Sequence, residues 1–258
     1  MLRPRLALGA QVYEHVKQLL LDGELESGAA IQVDAIASDL GVSRQPVMDA
    51  VRRLVQEGFV TIVPQVGSFP RSYKVGEILD FFKLFAESES IVAMLACQRA
   101  DAAGIARLKT VSTQIGKLRG SGLSSDELAR QYRTLNRRFH TEMRDMTGSI
   151  AVAEIVESMG DRSDFLVALS RAPIFPKRLK EAHAEHEEMI AAIQARDSER
   201  AMSVMRRHVL TIADRIAILG EGAGANEPKT ESRHTALGKG RLANRSVKAA
   251  SSTPSQRK

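Results

Sequence analysis

The sequence predicts a mainly α protein: a winged helix-turn-helix at the N-terminus, an all-α bundle of about six helices after it, and a disordered basic tail. Three observations carry this prediction. Gly41 to Gly58 reads as a tight turn followed by a helix with Ser43, Arg44 and Gln45 at its start. Residues 75–220 show 3.6-residue apolar periodicity throughout. Beyond Gly220 the composition turns to Gly, Ser, Thr, Lys and Arg with little apolar content, which cannot build a core. The domain limits that follow are 8–75, 76–220 and 221–258.

In the first unit, Val12 to Asp22 puts Val12, Val16, Leu19 and Leu20 on one helical stripe ahead of a turn at Gly23. A second helix near Val33 to Leu40 has Val33, Ile36, Ala37 and Leu40 as its apolar face. Gly41 suits the φ > 0 position that closes it, Ser43 suits the cap of the third helix, and Pro46 fits in the first turn, where a missing N–H costs nothing. That helix runs to Gly58. Phe59 to Pro64 then reads as a strand, Gln65-Val66-Gly67 as a turn and Ser68 to Ser72 as the return strand.

The second unit breaks near Asp101 to Gly104, Gly120 to Ser124, Thr147 to Ser149, Ala172 to Pro176 and Arg196-Asp197, giving six helices. Ile150, Ile155, Val156 and Met159 form the expected core stripe of one, and Met202, Met205, Val209 and Ile212 that of the last. Aromatic residues make up 4 % of the chain, and the many Ala and Leu suit helix-on-helix packing better than a sheet.

With 258 residues, 43 % of them apolar, the chain has the size and composition of a globular protein of one large or two medium domains. Apolar runs such as 91–97 are far shorter than the ~20 residues of a membrane span, and the start lacks a signal-peptide pattern. The single cysteine, Cys97, excludes an internal disulfide and fits a reducing cytoplasm. The formal charge is +6, yet the residues from Glu221 onward hold eight Lys/Arg against three Glu, so the rest of the chain is nearly neutral. The tail either touches DNA nonspecifically or only solubilises the chain. Binding to nucleic acid by the folded part must rest on a few placed residues and on doubling in a dimer.

Those residues are at hand. A helix entering the major groove presents its N-terminal end to bases, and here that end offers a hydroxyl for phosphate (Ser43), a bidentate donor suited to guanine (Arg44) and an amide suited to adenine (Gln45). Arg52 and Arg53, further along, reach DNA backbone at most. Gly67 is either a wing tip that lets backbone approach the minor groove or a simple hairpin glycine.

Val12-Tyr13-Glu14 with Gly23 and Gly28, then Leu40 to Val47, Leu54 with Glu57-Gly58, and Ile62 to Gly67 closely resemble the DNA-binding domain of the GntR family of bacterial regulators. The helical part resembles the FCD effector-binding domain of the FadR branch, on Asn136 with Phe139-His140, Glu185-His186 with Ile190 and Ala192-Ile193, and Ala201 with Met205 and His208. Six helices rather than seven resemble the VanR-like subgroup. The resemblance implies a homodimeric, cytoplasmic regulator, repression being the commoner outcome, that binds a pseudo-palindromic double-stranded operator and responds to a small, carboxylate-type metabolite. It assigns Arg44 to a guanine edge or phosphate. It also implies that Asn136, His140, His186 and His208 hold one divalent transition metal such as Zn²⁺ or Ni²⁺; without it, three such histidines would more often be surface or satisfied core residues.

Three departures qualify the resemblance. Met48 stands where many relatives have Arg, so one charged contact is replaced by an apolar one and the operator preference or overall affinity shifts. Asn136 stands where the first ligand is usually Asp, which weakens metal binding because an amide oxygen carries no charge. Phe85 stands one turn before Glu89, where relatives often have an Arg, so the pocket either takes a less acidic ligand or recruits Arg133 or Arg137. His183 faces the same cavity or solvent, and Glu185, Glu187 and Glu188 read as a solvated face rather than as general bases. Two other functions compete with an effector-controlled regulator: a direct metal sensor, and a metal-dependent hydrolase, against which stands the lack of a His-Glu-x-x-His pair or nucleophile elbow.

Overall fold

The computed structural model describes residues 7–170 and 174–224, with side-chain surroundings for 7–170 and 178–218. The predicted tail from 225 onward lies outside the described residues, as do parts of the break at Ala172 to Pro176.

Three helices and a hairpin form the first unit: α1 (Leu8–Leu21), α2 (Val33–Asp39), α3 (Arg44–Gln56), β1 (Val60–Val63) and β2 (Gly67–Pro70). Helix α1 begins four residues before the predicted Val12, because Ala10 and Gln11 N–H already bond to the Ala7 carbonyl. Gly41 (φ 63°) ends α2 in a Schellman arrangement, its N–H on Ser38 O and that of Val42 on Ala37 O. Gly58 (φ 77°) ends α3 in the same way through Val55 and Leu54. The strands pair antiparallel with Val60 opposite Pro70 and Val63 opposite Gly67. Val16, Val47, Leu54 and Phe59 fill a compact core between these elements.

Two expectations change here. Ser43 occupies the N-cap position of α3, but its hydroxyl accepts no bond from the helix and is left facing outward. Gly67 (φ 150°) is placed at the end of the turn, opening β2 opposite Val63, while Gln65 (φ 63°) holds the left-handed position within the turn.

Six helices follow among the described residues: α4 (Val75–Arg99), α5 (Ala102–Lys117), α6 (Ser125–Met146), α7 (Ile150–Leu169), α8 (Ile174–Gln194) and α9 (Ser198–Gly224). The last runs four residues past the predicted limit at Gly220. Asp101, Ser124 and Ser149 each accept a backbone N–H three residues on, satisfying the starts of α5, α6 and α7. Helix α4 lies along α9, and α8 closes the bundle against both. Phe82, Phe139, Met143, Met189 and Met205 are among its fully buried side chains. The stripe predicted for α7 is only half right. Val156 is buried, but Ile150 and Ile155 are 77 % and 65 % exposed, because α7 turns Phe165, Leu166 and Val167 inward instead. Among the described residues no helix is long and apolar enough to cross a membrane.

Helix α7 also joins the two units. Phe165 belongs to the core of the first unit and meets Phe59 edge to face, ring centroids 5.3 Å apart. Its neighbour Arg162 donates to Gly58 O and to Tyr73 Oη, each at 2.7 Å, and lies over the Phe59 ring.

Candidate functional site

The outward end of α3 carries Ser43, Arg44 and Gln45, all exposed, with Met48 half-buried one turn on. Arg44 reaches across to Asp34 at the start of α2, 3.0 Å away, with both side chains about two-thirds exposed. Asp49 collects Gln45 and Arg52, both at 2.9 Å. These bonds sit in water, where such pairs are worth at most about 1 kcal/mol, so DNA phosphate or base edges can replace them. Arg53 differs: it lies 3.6 Å over the Tyr13 ring and pairs with Glu57, which makes it part of the helix's anchorage.

The bundle contains a small, partly open cavity. Asn136 and His140 from α6, Arg137 and Arg144 from the same helix, Phe85 and Glu89 from α4, and His208 from α9 line it. Ring nitrogens of His140, His186 and His208 all come within 4.8 Å of one another although they stand on three helices. The sequence brings them there by local rules: His140 follows the buried Phe139, His186 stacks on Phe139 at 4.1 Å between ring centroids, and His208 precedes the buried Val209. Asn136 is at the cavity, where its amide oxygen accepts from Tyr132 Oη at 3.2 Å.

One carboxylate orients an imidazole: Glu185 Oε2 is 2.7 Å from Nδ1 of His208. Glu89 Oε2 lies 3.3 Å from Nδ1 of His140, but neither of these two atoms makes a hydrogen bond. Both nitrogens of the fully buried His186 have no hydrogen-bond partner. Burial, reinforced by the charges of His208 and His140, holds His186 well below the ordinary imidazole pKa; burial and Arg178 do the same for His208. The two rings are therefore neutral, with lone pairs available to a metal. A buried imidazole with no partner on either nitrogen is costly, and a divalent ion at the convergence of the three rings would satisfy one of the two. The donor set fits the implied ion, since three imidazoles suit Zn²⁺ or Ni²⁺.

The effector-side expectations separate. Phe85 is buried at the cavity and stacks on Phe81. Arg137 lines the cavity, while Arg133 does not: it donates to Leu21 O and pairs with Asp22, 2.9 and 3.0 Å away, because the C-terminal end of α1 lies over it. Arg144, not anticipated from sequence, is the second cavity cation, 4 % exposed and 3.2 Å from Glu89. Asp164 and Ser163 of α7 face the same space. His183 lies outside it, packed on Gly116 and near Glu187. Glu185 is not a solvated residue but half-buried between His208 and Arg178.

Comparison with known proteins places both units. Residues 8–69 match the family described as bacterial regulatory proteins, gntR family, and residues 82–211 match the FCD domain. The chain is 27 % identical over 202 residues to the HTH-type transcriptional repressor GlaR of Escherichia coli (strain K12), covering 77 % of this chain and 91 % of that one. It is 26 % identical over 196 residues to the Nta operon transcriptional regulator of Aminobacter aminovorans, covering 76 % and 88 %. Among solved structures it is similar in fold to E. coli McbR/YncC, with a TM-score of 0.70 at 22 % identity over 84 % of this chain and 99 % of that one. The matched families and these relatives are transcriptional regulators, not enzymes, which sets aside the hydrolase. A reading head for DNA and a domain for a small-molecule effector are thus joined in one polypeptide: the chain belongs to the GntR family of bacterial transcriptional regulators and carries an FCD domain.

Proposed function

We propose that the chain acts in the cytoplasm as a homodimeric repressor whose grip on a pseudo-palindromic operator is set by a small carboxylate in the bundle cavity. The observation that carries the effector half is the convergence of His140, His186 and His208 beside Arg137 and Arg144. A metal held by the three imidazoles, with Asn136 as a neutral fourth donor, would supply a Lewis-acid anchor for the carboxylate. The chain's own cations complete the recognition. Arg144 is locked by Glu89 and by Thr141 at 3.0 Å, so it presents a fixed positive edge. Dimerisation follows from the reading head: Arg44 and Gln45 are too few contacts for useful affinity at one half-site, and a second copy doubles them.

The test is fluorescence anisotropy with DNA from immediately upstream of the gene, using metal-free protein, protein with Zn²⁺ or Ni²⁺, and protein with metal plus organic acids. Binding by wild type that weakens only when metal and acid are both present supports the proposal. Release by metal alone would make the ion itself the signal, and undiminished binding by Arg44→Ala would overturn the assignment of the reading helix.

A further inference from the structure

We propose that Arg137 relays occupancy of the cavity to the reading head by a shared carboxylate: an anion that neutralises Arg137 tightens the Asp161–Lys17 pair that docks α1 on the bundle. This rests on the cavity taking an anionic effector. The residue's position is the first ground. Arg137 and Glu157 line the effector cavity and also a second, polar cleft walled by Glu14, Lys17 and Gln18 of α1. The Arg137 side chain is therefore the partition between the two spaces.

The ion pairs are the second ground. The Arg137 guanidinium binds Asp161 Oδ1 on the cleft side and lies 3.6 Å from Asp164 Oδ2 on the cavity side. Oδ2 of Asp161 is taken by Lys17 Nζ of α1. One carboxylate thus holds two cations from different units, and the cations repel each other through it. Lys17 and Asp161 are largely shielded from water, 17 % and 13 % exposed, while Arg137 is 35 % exposed, so the mutual repulsion is only partly screened. An effector carboxylate on Arg137 cancels that repulsion and leaves Asp161 to Lys17.

The same turn of α7 carries the effect to DNA. Gly160, Ser163 and Asp164 face the cavity, whereas Asp161, Arg162 and Phe165 engage the reading head. Arg162 bonds to the backbone that ends α3, so a change in how α1 sits on α7 moves the recognition helix with it. Two distinct sites and a differential contact between them are what a coupling free energy requires.

The experiment is amide hydrogen exchange of residues 8–21 in the full chain, comparing wild type, Arg137→Gln, Lys17→Gln, the double variant and the charge-keeping Arg137→Lys. Arg137→Gln should slow exchange in α1 by about threefold or more, the low end of coupling between contacting residues. Lys17→Gln should speed it and abolish the effect of Arg137→Gln, and Arg137→Lys should match wild type. Unchanged or faster exchange in Arg137→Gln, or purely additive effects, would overturn the relay. In a second arm, citrate is the probe: it should slow the same amides in wild type, and in Lys17→Gln should still bind by calorimetry without slowing them. Citrate that does not bind counts against the carboxylate effector, and the variant comparison still decides the relay.

Discussion

Glu185 Oε2 stands 2.7 Å from Nδ1 of His208, one of the three histidines whose ring nitrogens converge, and leaves that ring's Nε2 as the nitrogen free to hold a metal. Carboxylates in this position raise ligand basicity and set ring orientation, and their loss typically costs ten- to a hundredfold in metal affinity. Glu185→Gln should therefore bind Zn²⁺ about tenfold more weakly than wild type in chelator competition, with unchanged far-UV circular dichroism. His186→Ala should bind none. Equal affinity in Glu185→Gln would show that His208 needs no such support.

On the DNA side, Arg44 gives up only an exposed pair with Asp34 when it binds. A bidentate contact to a base is worth about 1–3 kcal/mol of discrimination. Arg44→Ala should therefore weaken operator binding roughly ten- to a hundredfold, while Asp34→Asn, which frees Arg44, should strengthen it modestly. Anisotropy at several salt concentrations separates the two roles of Arg44: a salt slope lowered by about one unit marks a phosphate contact, and lost sequence discrimination marks a base contact.

Phe165 is the side chain that α7 lends to the core of the reading head, 1 % exposed and edge-on to Phe59. Truncating a buried Phe costs about 3–5 kcal/mol. Phe165→Ala should lose that much in urea unfolding and should also uncouple the two units, so that one transition splits into two. A single transition with a small shift would mean that Arg162 and Asp161 suffice to hold the units together.

What the sequence made legible was local. Gly41 and Gly58 closed their helices where a φ > 0 residue was needed, and the 3.6-residue period found all six bundle helices among the described residues. What depended on which helix lies against which was not legible. Arg133 and Arg137 sit one turn apart with the same chemistry, yet α1 covers the first and leaves the second at the cavity. Glu185 stood among Glu181, Glu187 and Glu188 and looked solvated, but only its side chain turns toward His208. Ile150 and Ile155 satisfied the period and still face water, because apolar spacing cannot say which of two adjoining stripes meets a neighbour. The three histidines were singled out by resemblance to the FCD domain rather than by their spacing, and their convergence rests on the packing of α6, α8 and α9.

Asp164 gives a pH dependence whose sign follows from its burial. Desolvation raises its pKa, and the charges of Arg137, Arg133 and His140 offset this only in part. The folded chain therefore holds a proton at Asp164 over a pH range where the unfolded chain, with an ordinary Asp value near 3.9, has lost it. Across that window the folded state binds more protons, so stability falls as pH rises, and above the raised folded value the whole penalty is in place. Asparagine keeps the shape and never ionises. Asp164→Asn should accordingly show a higher urea midpoint than wild type at pH 7.5, and the gap should narrow as pH is lowered toward the unfolded value. A gap that widens on acidification would mean that the Arg137 contact, 3.6 Å away, outweighs burial and holds the carboxylate ionised.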